Sequence, residues 1–333
     1  MSNKYFIKRY DKDRDNITIE MSIPPILYKY KAITEHSVDA LVKDEIWATV
    51  PSQFNDPYDS ITCYDEKKLE SEIKTRITAD RLNNYKIVFQ KNSKDELVKL
   101  IKKEIIEAHK RNRNTLAVAS FSEMINSEIM WAHYANNAKG FALGYDGNAL
   151  FQLAQDYYNT TIDGIKGIKL YDIDVSNISM PKAVTLFPIQ YENTKTNIDN
   201  ELVELLDKLF NFCDEMATGK IKIDNSLLIN KSDLSILYSS LIRKNRDWKY
   251  EKEWRVWAYN NNVFQFSLSP YVCLGYVRPL AIYLGEFISS YDEIALMEIA
   301  KQKGIAVYKM KTKMYKNRCK LNPIKIYDGA KNV

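Results

Sequence analysis

Two glutamates stand two residues apart in the segment DWKYEKEWRVWAY, at positions 247–259. Side chains two apart on a β-strand point the same way, so Glu251 and Glu253 are expected to share one strand face, with Arg255 next on it. Two carboxylates this close repel each other, which raises the pKa of one unless a cation stabilises it. Such a pair could supply a general base and a negative charge that stabilises a cationic transition state.

The same residues also fit a solvent-exposed charge ladder on an edge strand. Trp248, Trp254 and Trp257 weigh against a free edge, because tryptophan usually packs its large ring against other side chains. The tryptophans therefore favour a packed environment for the glutamates.

Three further segments join polar groups to aromatic residues where strands or loops are expected. The segment LYKYK, at 27–31, contains Tyr28, Lys29 and Tyr30. In the segment SFSE, Ser120 and Ser122 would share a strand face, although serines at a strand end commonly satisfy backbone groups. The sequence alone leaves both roles open for the serines.

The third segment, FNDPYD, begins at position 54. An Asx turn before Pro57 would explain Asn55 and Asp56 as structural residues, and contact with a ligand is the alternative. His133, in MWAHYA, has mostly apolar and aromatic neighbours, which predicts a packed and hydrogen-bonded core histidine.

Composition and missing motifs exclude several classes of protein. The chain has 333 residues, 45% of them hydrophobic and 27% charged, with 10 Gly and 9 Pro, which is typical of a soluble globular protein. The lack of any run of 18 apolar residues, together with a charged N-terminus, predicts a cytoplasmic protein that does not enter the membrane. No Gly-x-Ser-x-Gly elbow, phosphate loop or G-x-G-x-x-G is present, so serine hydrolase, P-loop and Rossmann chemistries have no support.

Four cysteines without ligand spacing, and three histidines, predict reduced thiols and no metal site. The net charge of +5 includes basic clusters in HKRNRN, at 109–114, and in a basic C-terminal tail, KMKTKMYKNRCKLNPIK. These clusters predict either solvated faces or contact with nucleic acid.

The order of elements predicts a single α+β domain over 1–333. A strand beginning at Ile26 is followed by a helix and by a second strand that ends before Pro51. Charged helical insertions are expected at about 66–112 and 200–246. Between them, NTLAVASFSE reads as a strand and Ser127 as the N-cap of a helix that Gly140 ends.

These segments, in this order, resemble a bacterial family catalogued as domain of unknown function 2971. The resemblance rests on LYKY, FNDP, SFS, a W-x-HYA segment that ends at Gly140, and YEKEWR, and it covers about residues 26–290. The family name itself implies no activity.

A more distant resemblance is to the ADP-ribosyltransferases. It implies a mixed, mostly antiparallel, split β-sheet and NAD as the substrate, with a macromolecule, nucleic acid or protein, as the acceptor and a toxin or phage-defence role. Glu253 would stabilise the oxocarbenium-like ribose, and Glu251 would position or deprotonate the acceptor. The residues that would hold NAD are Tyr28, Lys29, Tyr30, Asn55, Ser120, Ser122, His133 and Arg255. A lysine or tyrosine stands on the first strand where those enzymes have His or Arg.

Two other functions remain open from the residues. One is a magnesium-dependent nuclease, which would hold the metal with Asp56, Asp59, Glu251 and Glu253. The other is a non-catalytic module that binds a nucleotide or a partner in an aromatic groove.

Overall fold

The computed structural model describes residues 6–11, 16–83, 93–112, 116–166, 169–170, 173–174, 186–193, 196–200, 202–203, 206–207, 210–211, 214, 241–259, 269–315 and 318–329. The strands are Phe6–Asp11 (β1), Asn16–Met21 (β2), Ile26–Lys31 (β3), Glu45–Thr49 (β4), Thr62–Cys63 (β5), Leu116–Ser122 (β6), Phe141–Asp146 (β7), Lys169–Leu170 (β8), Ile173–Asp174 (β9), Leu186–Pro188 (β10), Gln190–Glu192 (β11), Thr196–Asn197 (β12), Arg243–Asn245 (β13), Glu253–Tyr259 (β14), Tyr271–Tyr276 (β15), Ala281–Leu284 (β16), Ala306–Tyr315 (β17) and Arg318–Tyr327 (β18). The main helices are Glu35–Lys43 (α1), Glu66–Arg76 (α2), Lys94–Asn112 (α3), Glu128–Tyr134 (α4), Gly147–Lys166 (α5) and Ser290–Lys303 (α6), and Arg246–Glu251 forms a 3-10 helix.

One mixed sheet joins ten of the described strands. Eight lie in the order β10-β14-β6-β3-β7-β16-β17-β18, while β4 pairs with β6 and β15 pairs with β4. Its pairs are antiparallel, apart from the parallel pair β16 and β17. The predicted α+β class with a mostly antiparallel sheet is confirmed.

The sheet divides along one edge of β6. Strand β3 pairs with this edge at Tyr28 and Ser122, whereas β4 pairs with it at Thr49 and Val118. Both strands run antiparallel to β6, so they lie parallel to each other at different ends of it. Ser120 stands midway between the two pairings, and the split opens beside it.

Helix α1 carries the chain from β3 to β4 around this split. Its first turn is fixed by a capping box, in which Ser37 N donates to Thr34 Oγ1 at 3.1 Å and Thr34 N donates to Ser37 Oγ at 2.9 Å. It ends at Asp44, whose φ of 61° is left-handed. The strand, helix and strand unit predicted from Ile26 is confirmed.

Helix α4 begins as predicted, since Met130 N donates to Ser127 Oγ at 3.3 Å. It ends at Tyr134 and not near Gly140. The reason is that Asn136, Asn137 and Ala138 all have positive φ, which a helix does not tolerate.

Apolar clusters cover both faces of the sheet. On one face, Leu27 and Phe121 pack with residues of α1, α5 and α6. On the other, Tyr30 packs with Met130 and Trp131 of α4. Helix α4 is therefore held against the sheet on the face opposite to α1.

Several segments differ from the expectation or lie outside the described residues. The basic C-terminal tail forms β17 and β18, which pair along the sheet edge. Helix α5, of 20 residues, was not predicted. Helices α2 and α3 occupy the first predicted insertion, but most of 200–246 lies outside the described residues, as does Cys213. Cys63, Cys273 and Cys319 form no disulfide. Within the described ranges no helix combines the length and apolar character needed to cross a membrane.

Candidate functional site

A cavity of about 400 Å³ opens at the split of the sheet. Its wall includes most of the residues that the sequence singled out, namely Tyr28, Lys29, Tyr30, Asn55, Ser120, Ser122, Glu251, Glu253 and Arg255. Tyr134 and Lys244 also line it, and sequence reasoning gave neither a role. Asp59, considered only as a magnesium ligand, completes its charged end.

The spacing predicted that the two glutamates share a strand, but in the structure they do not. Glu251 is the last residue of the 3-10 helix, and β14 begins only at Glu253. Between them, Lys252 has φ 42° and ψ 54°, a left-handed conformation that is rare for a residue with a side chain. This turn, and not strand alternation, brings both carboxylates to the cavity.

Arg255 binds the second glutamate from the same face of β14, as the alternation predicted. Its Nε donates to Glu253 Oε1 at 2.8 Å, and its Nη2 donates to Glu253 Oε2 at 3.0 Å. On its other side, Nη1 and Nη2 donate to the two Asp59 oxygens at 3.0 and 2.5 Å. The guanidinium therefore joins two carboxylates with bidentate geometry.

The charge-ladder interpretation is wrong for these residues. Strand β14 lies between β10 and β6, so it is not an edge. Arg255 has no solvent exposure and Glu253 is 5% exposed. Trp254 and Trp257 are buried beside them, as the tryptophan content indicated.

Lys244, on β13, lies between three carboxylates. Its Nζ is 2.6 Å from Glu251 Oε2, 3.2 Å from Glu253 Oε2 and 3.4 Å from Asp59 Oδ2. Burial by itself would lower the pKa of Lys244, but Glu253, Glu251 and Asp59 together raise it above its ordinary value. Lys244 therefore remains charged and balances the acidic end of the cavity.

The two glutamates have opposite protonation preferences. Burial and the negative charge of Glu253 raise the pKa of Glu251 to about 7. Burial disfavours the charged form of Glu253 as well, but Arg255 and Lys244 outweigh it and hold the Glu253 pKa below the ordinary value. Of the two glutamates, Glu253 is therefore ionised at neutral pH, whereas Glu251 can exchange a proton.

Tyr134 and Asn55 extend this network beyond the glutamates. The Tyr134 hydroxyl donates to Glu251 Oε1, and Asn55 Nδ2 donates to the Tyr134 oxygen at 3.1 Å. Asp56, in contrast, closes an Asx turn, because its Oδ1 accepts from Tyr58 N at 2.8 Å. The structural role is thus shown for Asp56, whereas Asn55 lines the cavity.

The two serines also divide their roles. Ser122 Oγ donates to the Glu251 carbonyl at 2.5 Å and accepts from Met124 N at 3.0 Å, so it fixes the backbone at the turn. Ser120 is a hydrogen-bond partner of the Glu253 carboxylate. Ser120 is therefore the serine that contacts the acidic end of the cavity.

Lys29 crosses the split in the sheet. Its Nζ donates to the Ser120 carbonyl at 3.2 Å and lies 4.8 Å from the centre of the Phe121 ring. Burial, and then the nearby charge of Lys31, lowers its pKa well below the ordinary value. This cationic end of the cavity faces the acidic end across Ser120.

The tyrosines of β3 contribute one side of the wall. Tyr30 donates its hydroxyl to the Met124 carbonyl at 2.5 Å and meets Trp131 edge to face. Tyr28 packs edge to face on Tyr283, with ring centres 5.3 Å apart. Tyr30 is therefore anchored by the core, and Tyr28 is the more exposed of the two rings.

His133 is the predicted site residue that the structure leaves outside the cavity wall. Its side chain is exposed, and its Nδ1 is 3.1 Å from the Tyr250 hydroxyl. The expectation of a packed core histidine was wrong, because Met130, Trp131 and Tyr134 form the inward face of α4.

Comparison with known proteins finds a similarity to one family, whose description gives no activity. Residues 130–256 match the family model described as "Protein of unknown function (DUF2971)". This segment is similar to that family. The resemblance predicted from the motifs is thus confirmed, over a shorter range than 26–290. No curated protein and no solved structure matches the chain.

The DUF2971 match covers one side of the site. It contains Tyr134, Lys244, Glu251, Glu253 and Arg255. The cationic lysine, the loop and the serines come from the preceding part of the chain, which packs against the DUF2971 segment to close the cavity. A functional test must therefore use the whole chain.

Proposed function

We propose that the cavity is the active site of an enzyme of the ADP-ribosyltransferase type, which uses NAD as its substrate. The observation that carries the proposal is the meeting of Lys29, Ser120 and Glu253, from three distant segments, on one cavity at the split of the sheet. A volume of about 400 Å³ is within the usual range of small-molecule sites.

The ionisation states of the glutamates suit the bond to be broken. When the bond between ribose C1′ and the nicotinamide nitrogen breaks, its electron pair leaves with nicotinamide and positive charge develops on the ribose. Glu253, held ionised by Arg255 and Lys244, supplies a fixed negative charge near that centre. Stabilisation of this kind acts mainly in the transition state.

Glu251 has the properties of the base for the acceptor. The acceptor nucleophile would bond to C1′, and its proton would pass to Glu251. A pKa of about 7 allows this carboxylate to accept a proton at neutral pH. Hydrogen bonds from Tyr134 and Lys244 hold its oxygens in place. We propose nucleic acid or protein as the acceptor class and a toxin or phage-defence role.

The geometry does not favour the magnesium-nuclease interpretation. Asp59, Glu251 and Glu253 do converge, but the Lys244 ammonium lies between them, where a shared cation would be needed. No cluster of three or more His, Cys, Asp or Glu side chains suited to a metal occurs among the described residues. Asp56 is engaged in its turn.

We expect the whole 333-residue chain to release nicotinamide from NAD, and the release to be faster in the presence of its acceptor. Because Glu251 must be ionised to accept a proton, the rate is expected to rise with pH through about 7. The measurement is chromatography of nicotinamide with water, RNA, DNA or cell extract as the acceptor, from pH 5.5 to 8.5.

The alternatives give different results in the same assay. Tight NAD binding without release of nicotinamide, with any of these acceptors, would identify a non-catalytic binding module. Absence of both binding and release would contradict the proposal.

A further inference from the structure

The cationic end of the cavity contains two lysines from one face of β3. Lys29 and Lys31 both line the cavity, and their Cα atoms are about 7 Å apart, as for any residues two apart on a strand. Both side chains are partly buried. Two like charges on one wall of a confined space repel each other, and a nearby negative charge would be needed to balance them.

Neither lysine is paired with an acid among the described residues. Lys29 donates only to the Ser120 carbonyl, and Lys31 has no hydrogen bond or ion pair with any residue in the described part of the chain. Lys244, which lines the same cavity, has three carboxylates within 3.4 Å. Buried cations are normally paired, so the two lysines of β3 are unusual.

The acids of the cavity are not free to serve as their partners. Glu253 is the acid whose charge acts on Lys29, but both of its carboxylate oxygens already accept hydrogen bonds from Arg255, and one of them also accepts from Lys244. Burial lowers the pKa of Lys29 and of Lys31, as expected for cations without a bound anion.

The surrounding wall is suited to an anion that has an aromatic or apolar part attached. His36, in the first turn of α1, packs edge to face on Trp47 of β4, with ring centres 5.2 Å apart, and both residues line the cavity. The positive end of the α1 dipole also lies at this end of the helix.

We propose that Lys29 and Lys31 together bind a diphosphate group of the ligand in this cavity. The inference goes beyond the proposed reaction, because it concerns recognition of the anion and holds for any diphosphate ligand, whichever bond is then broken. Each lysine would donate to a different phosphate, and the anion would neutralise the repulsion between them.

Inorganic pyrophosphate tests this site without NAD chemistry. We expect titration calorimetry at fixed pH and ionic strength to detect pyrophosphate binding to the whole 333-residue chain. Lys31→Met, which removes the charge and keeps an unbranched side chain one atom shorter, should weaken binding about tenfold or more, as should Lys29→Met. The matched control is Lys311→Met, at an exposed position of β17, and should change the affinity less than about twofold.

Thermal unfolding separates a ligand site from a structural role. Without pyrophosphate, Lys31→Met should melt no lower than the parent protein, because no bond to the described residues is removed, and pyrophosphate should stabilise only the parent. The proposal would be overturned if the parent protein did not bind pyrophosphate at millimolar concentration, or if Lys31→Met bound it with the affinity of the parent. It would also be overturned if Lys311→Met weakened pyrophosphate binding as much as Lys31→Met, or if Lys31→Met alone markedly lowered the melting temperature. Nicotinamide release from NAD is measured in a separate assay. Failure of the diphosphate site can therefore be distinguished from failure of the proposed reaction.

Discussion

Arg255→Met is expected to lower the free energy of unfolding by about 3–5 kcal/mol, which would unfold much of the population of a protein of ordinary stability. Arg255 has no solvent exposure and binds the carboxylates of Asp59 and Glu253 as well as the Leu241 carbonyl. Methionine fills similar space but donates no hydrogen bond, so two carboxylates would remain buried with only Lys244 as a cation. Urea unfolding at pH 7 measures the difference.

Two controls identify the cause of this loss. Arg278→Met, at an exposed arginine, should change the free energy of unfolding by less than about 0.5 kcal/mol. Adding Asp59→Asn to Arg255→Met should restore part of the stability, because it removes one of the orphaned charges. A loss below about 1 kcal/mol in Arg255→Met would show that this network does not stabilise the fold.

Glu253→Gln is expected to reduce kcat for nicotinamide release by about 10²- to 10³-fold, with a much smaller change in KM. The amide has nearly the same shape, but it removes the negative charge that would stabilise the oxocarbenium-like ribose. Because this charge matters most in the transition state, the loss should appear in kcat.

Glu298→Gln is the matched control, since Glu298 is exposed on α6 and pairs only at the surface with Lys301. It should leave kcat within about twofold of the parent value. Equal kcat in Glu253→Gln and the parent protein would remove Glu253 from the mechanism, whereas loss of the folded state in Glu253→Gln would assign it a structural role with Arg255.

Local sequence patterns were sufficient to predict several of the elements that position the site. The alternation from Ile26, the strand before Pro51 and the N-cap at Ser127 all depend on local patterns, and the structure has each of them. The same alternation predicted that Glu253 and Arg255 share a face, which depends only on their positions in one strand.

Other features depend on contacts that no local pattern encodes. Nothing in the identity of Lys252 indicates a left-handed turn, so the end of the 3-10 helix at Glu251 was not predicted. Lys244 lies in a segment that was interpreted as helical, and its role follows from three acids that only the folded chain brings together. Tyr134 belonged to a recognised motif, but its contact with Glu251 required the packing of α4 on the sheet.

The central claim is that the cavity at the split of the sheet holds NAD, and direct binding to a variant with a filled cavity tests it. Thr49, on β4, lines the cavity, and phenylalanine there suits a strand but removes one hydrogen bond, from Thr49 Oγ1 to the Pro270 carbonyl at 3.2 Å. We predict that calorimetry detects NAD binding to the parent protein, and that Thr49→Phe abolishes this binding while its melting temperature changes by only a few degrees. Equal affinity of NAD for Thr49→Phe and the parent protein, or no binding to the parent protein, would contradict the account.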